Sequence, residues 1–122
     1  MSSVVAVVGA SPNPERYSNK AIRMLVEYGH DVIPINPGHA EIEGLSVVKH
    51  LSEVSAGDVD TVTMYVQESV SHGLRDALIT LAPRRVIFNP GAENAALADD
   101  LAANGIDVLE ACTLVMLRTG QF

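Results

Sequence analysis

The sequence predicts a three-layer α/β domain, a five-stranded parallel sheet with helices on both faces. Three observations carry this. Short β-branched runs alternate along the 122 residues with stretches of helical hydrophobic period. The first run, Val4–Val8, is apolar throughout rather than alternating, as suits a strand covered on both faces. The chain between successive runs is long enough for crossover helices, which parallel pairing requires. The length suits one domain, residues 1–122, with no linker or repeat.

Each element has its own signal. Val4–Val8 is a continuous apolar run ending in Gly9. Ser18 precedes a helical stretch with Ile22, Leu25 and Val26 on one side and Gly29 as its stop. Val32-Ile33-Pro34-Ile35 reads as the second strand, and Pro34 points to an exposed hydrogen-bonding edge there. Asn36 to Leu45 reads as a loop, Val47-Val48 as a short strand and Leu51–Val54 as a single helical turn. Thr61–Val66 is the third main strand. Ser69 is placed as the cap of a helix running to Leu81, closed by Pro83, with Gly73 an unfavourable residue inside it. Val86–Phe88 is the fourth strand, Asn94–Asn104 a helix ended by Gly105, Ile106–Leu109 the fifth strand and Leu114–Leu117 a last short helix. The arrangement is Rossmann-like, and the strand order expected is 3-2-1-4-5.

Composition excludes several function classes. Apolar residues make up 48% and charged residues 19%, a globular balance. The apolar runs fall far short of the ~20 residues of a membrane span. Met1-Ser2-Ser3 has no basic stretch of a signal peptide, and one cysteine forms no intrachain disulfide, so a cytosolic protein is expected. The formal charge is −7 and aromatic content only 4% with no Trp, which speaks against nucleic acid and anionic lipid as partners. The apolar tail Leu114–Leu117 either caps the sheet or forms a homodimer contact, and the second is favoured.

In an open parallel sheet, ligands bind beyond the carboxyl ends of the strands, at the switch point, placed here between the first and fourth strands. The informative residues therefore follow the strands: Gly9, Ala10 and Ser11 leading to Arg16, Tyr17 and Ser18; Asn36-Pro37; Tyr65-Val66; and Asn89-Pro90-Gly91. The first group enters a helix whose free N–H groups and dipole favour an anion, with Arg16 and Lys20 beside it. It is not a dinucleotide fingerprint, since Ser11 and Pro14 stand where glycines are needed and the second strand ends in Asn36 rather than an acid. No Lys-Ser/Thr pair of a P-loop follows either. NAD and ATP in their usual poses are disfavoured.

Val7-Val8-Gly9-Ala10-Ser11-Pro12, then Arg16-Tyr17-Ser18-Asn19, then Val32-Ile33-Pro34-Ile35-Asn36-Pro37 resemble the small stand-alone CoA-binding domain proteins. Gly44, Asp60, Gly105-Ile106-Asp107-Val108 and Cys112 continue the match in order over nearly the whole chain. Such proteins are similar to the CoA-binding domain of the succinyl-CoA synthetase alpha subunit. Asn89-Pro90-Gly91-Ala92-Glu93-Asn94 departs from the Gln-x-Gly turn that many relatives carry. The resemblance implies coenzyme A or an acyl-CoA as ligand. Its phosphates would lie at Arg16, Tyr17 and Ser18, its adenine and ribose along Asn36-Pro37 with Tyr65 and Val66 as a wall, and its pantetheine arm along Asn89–Gly91.

No catalytic or metal site is expected. Cys112 has no evident base near it in sequence and reads as a small buried hydrophobe, while Glu93 at a helix start reads as a cap. His30, His39, His50 and His72 lack metal-ligand spacing. The function expected is that of a CoA- or acyl-CoA-binding sensor, carrier or regulatory module. The alternatives are a small enzyme using a CoA thioester or nucleotide through Cys112 or Glu93, and an interaction module that keeps the fold without the ligand.

Overall fold

The apolar runs become strands, and the computed structural model describes residues 3–122. The expectation drawn from Met1 and Ser2 lies outside the described residues. The elements are β1 Val4–Val8, α1 Tyr17–Glu27, β2 Asp31–Ile35, β3 Glu41–Ile42, β4 Leu45–Ser46, β5 Thr61–Met64, α2 Glu68–Ser71, α3 Arg75–Leu81, β6 Arg85–Phe88, α4 Ala95–Ala103, β7 Asp107–Glu110 and α5 Thr113–Arg118. Five strands form a parallel sheet in the order β2-β1-β5-β6-β7.

In terms of the five main strands this is 2-1-3-4-5, so the expected 3-2-1-4-5 is corrected. Pro34 supplies the physical reason. A residue's N–H and C=O leave a strand on the same side, and the Pro34 carbonyl accepts from the Val48 N–H at 2.9 Å, away from β1. The missing N–H therefore faces the outer edge, where it costs no ladder bond, and β2 is an edge strand. The switch point accordingly lies between β1 and β5, not between the first and fourth strands.

Strand alternation sends side chains to two cores. Ala6, Val8, Val62, Met64, Val86 and Phe88 pack with Leu78 and Leu81 of α3 and Leu97 and Leu101 of α4. Val5 and Val7 pack on the other face with Ile22 and Leu25 of α1 and Leu117 of α5. Each fully buried aliphatic side chain contributes about 1.5–3 kcal/mol, which is why both faces must be covered. The second core absorbs the tail: Leu114, Met116 and Leu117 are buried within the chain and only Val115 is exposed. The residues offered for a homodimer contact are thus largely spent in the monomer.

Helix ends follow local chemistry. At the end of α1 the Gly29 N–H bonds the Val26 carbonyl and the His30 N–H the Leu25 carbonyl, a closure that needs the positive φ of Gly29. Asn94 caps α4, accepting the Leu97 N–H at 3.1 Å. Other expectations shift. Helix α1 begins at Tyr17 and Ser18 lies buried inside its first turn, so Ser18 is not the cap. The helix expected from Ser69 to Leu81 is broken into α2 and α3 by a tight turn at His72–Leu74 around Gly73, and it starts at Glu68. Val47-Val48 makes a single bridge, Ile35 to Val48, and the strands of this region are instead β3 and β4, an antiparallel hairpin turning at Glu43 and Gly44.

The N-terminal edge of the sheet carries a polar cluster far from the strand C-termini. Arg85, buried, donates to Thr61 Oγ1 at 2.8 Å and to the Phe122 carbonyl at 3.0 Å, and its guanidinium stacks over the Phe122 ring at 4.4 Å. His30 Nδ1 accepts the Ser3 N–H at 3.1 Å, which requires the neutral ring, and burial above all lowers its pKa from 6.5. Asp60 is held below its usual 3.8 chiefly by a bidentate pairing with Arg84 at 2.9 and 3.0 Å. Both groups resist protonation in the folded state, so both favour folding at higher pH. Stability should be flat above the ordinary histidine range and fall as pH drops below 6.5, then fall again below 3.8 as Asp60 is protonated. Urea midpoints across this range check it: His30→Gln should remove the first decline and leave the second.

Candidate functional site

The loop leaving β1 turns at Gly9, with φ +84°. A Cβ there would stand 2.8 Å from Val66 Cγ1 and 3.0 Å from the Tyr65 carbonyl oxygen, because β5 lies directly beside β1. Only glycine fits this turn. The loop is then clamped from below. Asn19, fully buried, donates to the Ser11 carbonyl at 2.9 Å and to Glu43 Oε2 at 3.1 Å, and accepts from Arg23 Nε at 2.8 Å. Asn36 donates to the Ala10 carbonyl at 2.7 Å and accepts the Gly38 N–H at 2.6 Å. A loop with so many fixed polar groups holds its backbone N–H groups in place without a ligand.

Above this loop lies a cleft of about 420 Å³ at the C-terminal edge of the sheet. It brings together Gly9, Ala10, Ser11, Arg16, Tyr17, Ser18, Asn36, Tyr65, Val66, Pro90 and Gly91, eleven of the thirteen residues singled out from sequence. The other two lie beside it. Pro37 lines an adjoining cavity of about 420 Å³ with Asn36, Val66, Lys49 and Leu74. Asn89 borders a smaller cavity of about 260 Å³ with Tyr17, Tyr65, Pro90, Cys112 and Leu114. Its side chain is already committed, donating to Thr63 Oγ1 at 2.6 Å and the Met64 carbonyl at 2.9 Å while accepting the Thr113 N–H at 2.9 Å. Asn89 ties the ends of two strands, β5 and β6, to the start of α5.

Gln67 and Ala92 also line the cleft. They follow residues already marked, and extending each strand-end group by one or two positions finds them. Tyr65 and Val66 both line the cleft but pack on opposite sides of the sheet. Successive residues leave a strand on opposite faces, so Tyr65 packs towards α1 and α5 and Val66 towards the α3 side. Only Val66 borders the Pro37 cavity.

The electrostatics of the cleft favour an anion. No side chain caps α1 and its first turn holds no acid, so the first-turn N–H groups point their dipole at the cleft. Arg16, exposed at the N-cap position, makes no ion pair among the described residues. Lys20 stands 5.3 Å from the centroid of the exposed Tyr17 ring, one turn further on. Glu93 is spent locally, accepting the Gly91 N–H at 2.9 Å. Among the described residues no cluster of His, Cys, Asp and Glu has metal-binding geometry, and no helix is long and apolar enough to cross a membrane.

Fold and cleft define an α/β domain with its main candidate cleft at the switch point of a parallel sheet, where such folds bind their ligands. The chain belongs to the CoA binding domain family, which matches residues 3–118. A crystal structure of an uncharacterized protein is 35% identical with a TM-score of 0.93, covering 100% of this chain and 99% of that one. The dinucleotide forming acetyl-coenzyme A synthetase 1 of Ca. Korarchaeum cryptofilum, in complex with phosphate and ADP, is 28% identical with a TM-score of 0.75 over 89% of this chain and 25% of its own. The uncharacterized protein YneT of Bacillus subtilis (strain 168) is 30% identical over 78 residues, 64% of this chain. The chain thus spans 57% of that curated relative's length and a quarter of the synthetase.

Proposed function

We propose that this protein binds coenzyme A or an acyl-CoA and performs no chemistry of its own, acting as a sensor, carrier or regulatory module. The observation that carries this reading is the uncapped start of α1 opening on the cleft with Arg16 free beside it. CoA brings roughly three to four negative charges on its phosphates near neutral pH. On a chain of formal charge −7, such a ligand needs a local positive field, and the α1 dipole with Arg16 and Lys20 supplies one. The adenine and ribose would occupy the side of Asn36, Pro37 and Val66, where apolar walls and Lys49 stand together. The pantetheine arm would run along Pro90 and Gly91 towards the smaller cavity.

The enzyme alternative needs an activated Cys112 or Glu93. Glu93 is bound within its own turn, and Cys112 is a free, half-buried thiol with no hydrogen-bond partner among the described residues. Isothermal titration with CoA, acetyl-CoA, NAD and ATP tests the proposal. Saturable binding of CoA or acetyl-CoA is expected, with NAD and ATP weaker by at least tenfold. Binding of NAD without CoA would overturn it.

A further inference from the structure

The hairpin of β3 and β4 stands beside the β1–α1 loop, and its turn residues do not line the cleft. That turn is Glu43-Gly44, with φ +52° and +76°. Two-residue turns with both φ positive favour Asn-Gly or Gly-Gly, so a glutamate at the first position calls for a reason. Its side chain supplies one. Ile42 is buried in the core with Ile22 and Leu25 of α1, which brings the turn against that helix. There the exposed Glu43 accepts from Asn19 Nδ2 at Oε2, 3.1 Å away.

Asn19 is fully buried, and both ends of its amide are engaged. Nδ2 also donates to the Ser11 carbonyl at 2.9 Å, and Oδ1 accepts from Arg23 Nε at 2.8 Å. Arg23 in turn donates through Nη2 to the Pro14 carbonyl at 3.0 Å. Among the described residues, these two carbonyls carry the only hydrogen bonds from residues 11–15 to the body of the fold; the others close within the loop and its entry to α1. An amide can turn over, exchanging its oxygen and nitrogen. Turned over here, the oxygen would face the Ser11 carbonyl and the Glu43 carboxylate, and the NH2 group would face the guanidinium. A carboxylate on one side and a guanidinium on the other select the orientation that holds Ser11. Charge alone gives no reason for the carboxylate, because an acid near a phosphate site repels the ligand.

We propose that Glu43 is a positioning residue for the anion site: it fixes the buried Asn19 amide, so that Asn19 and Arg23 hold the β1–α1 loop in its binding shape before a ligand arrives. The inference rests on the CoA reading of the cleft and adds how the loop is set for the phosphates. Without an acceptor at Glu43, a donor of a fully buried residue is left unpaired. The amide and the loop above it then gain freedom that binding must remove.

The test compares the purified protein with Glu43→Ala and with Glu43→Gln, which keeps an acceptor oxygen and removes the charge. Each is titrated with CoA, and hydrogen exchange is followed without ligand. Glu43→Ala should bind CoA five- to tenfold more weakly and exchange the amides of residues 9–18 at least threefold faster, with exchange in β6 unchanged. Glu43→Gln should exchange like wild type and bind CoA as tightly or more tightly, having lost a like charge. Tighter binding by both variants would reveal an effect of charge alone and overturn the proposal. So would an equal loss in both, unchanged exchange in Glu43→Ala, or faster exchange that extends to β6. If wild type fails to bind CoA, the CoA reading falls, and the exchange comparison alone decides whether Glu43 holds the loop.

Discussion

Gly9→Ala is expected to destabilise the protein by roughly 2–4 kcal/mol and to weaken CoA binding by more than a hundredfold. Two costs combine. A side chain at φ +84° is strained in open space, on the order of 1–3 kcal/mol. Here the added methyl also meets the Tyr65 carbonyl oxygen at 3.0 Å and Val66 Cγ1 at 2.8 Å. Val66 can shift slightly, but the carbonyl belongs to the chain just beyond β5, so relief must come by parting the two strand ends. Those ends form the floor of the cleft. Gly105→Ala separates the two contributions. Gly105 has a similar φ of +80° but nothing within 4 Å of an added Cβ, so it should lose only the strain. It stands before β7 on the opposite side of the sheet from the cleft, and its CoA affinity should be unchanged. Urea unfolding and titration of both variants check this. A Gly9→Ala protein that binds CoA like wild type would remove the cleft from consideration.

Arg16→Ala should lower CoA affinity about ten- to hundredfold and change folding stability by less than about 0.5 kcal/mol. Arg16 is exposed and makes no ion pair among the described residues, so little in the fold depends on it. A charge-assisted bond to a phosphate is worth about 1.5–3 kcal/mol. Wild-type affinity should weaken with added salt, and the variant's salt dependence should be shallower, because one screened contact is gone. If the variant binds as tightly as wild type at low salt, the phosphates rest on the α1 N–H groups alone.

The α/β class, the five main strands and most of the cleft were legible from local pattern. Period and composition mark a strand or helix within its own residues, and a parallel sheet places every strand's C-terminal end on one edge. Marking the residues after Val8, Ile35, Met64 and Phe88 therefore marks one region of space. Pro34 even carried the edge position of β2, at odds with the strand order 3-2-1-4-5 that places this strand between two others.

Other features were settled by residues distant in sequence. Asn89 looks like a turn residue and is instead a buried tie among Thr63, Met64 and Thr113. Ser18 looks like a cap, yet the N-cap position falls two residues earlier, at Arg16. The Leu114–Leu117 tail looks like an interface and fills the core beside α1. Tyr65 and Val66, adjacent in the chain, share the main cleft but border different side cavities. By itself, the sequence determined the five main strands and which of their ends share one edge of the sheet, because those follow from short-range periodicity and the direction of parallel strands. Only the tertiary structure decided which polar side chains are free to meet a ligand, because a donor is free only when no neighbour brought close by the fold has already taken its hydrogen bond.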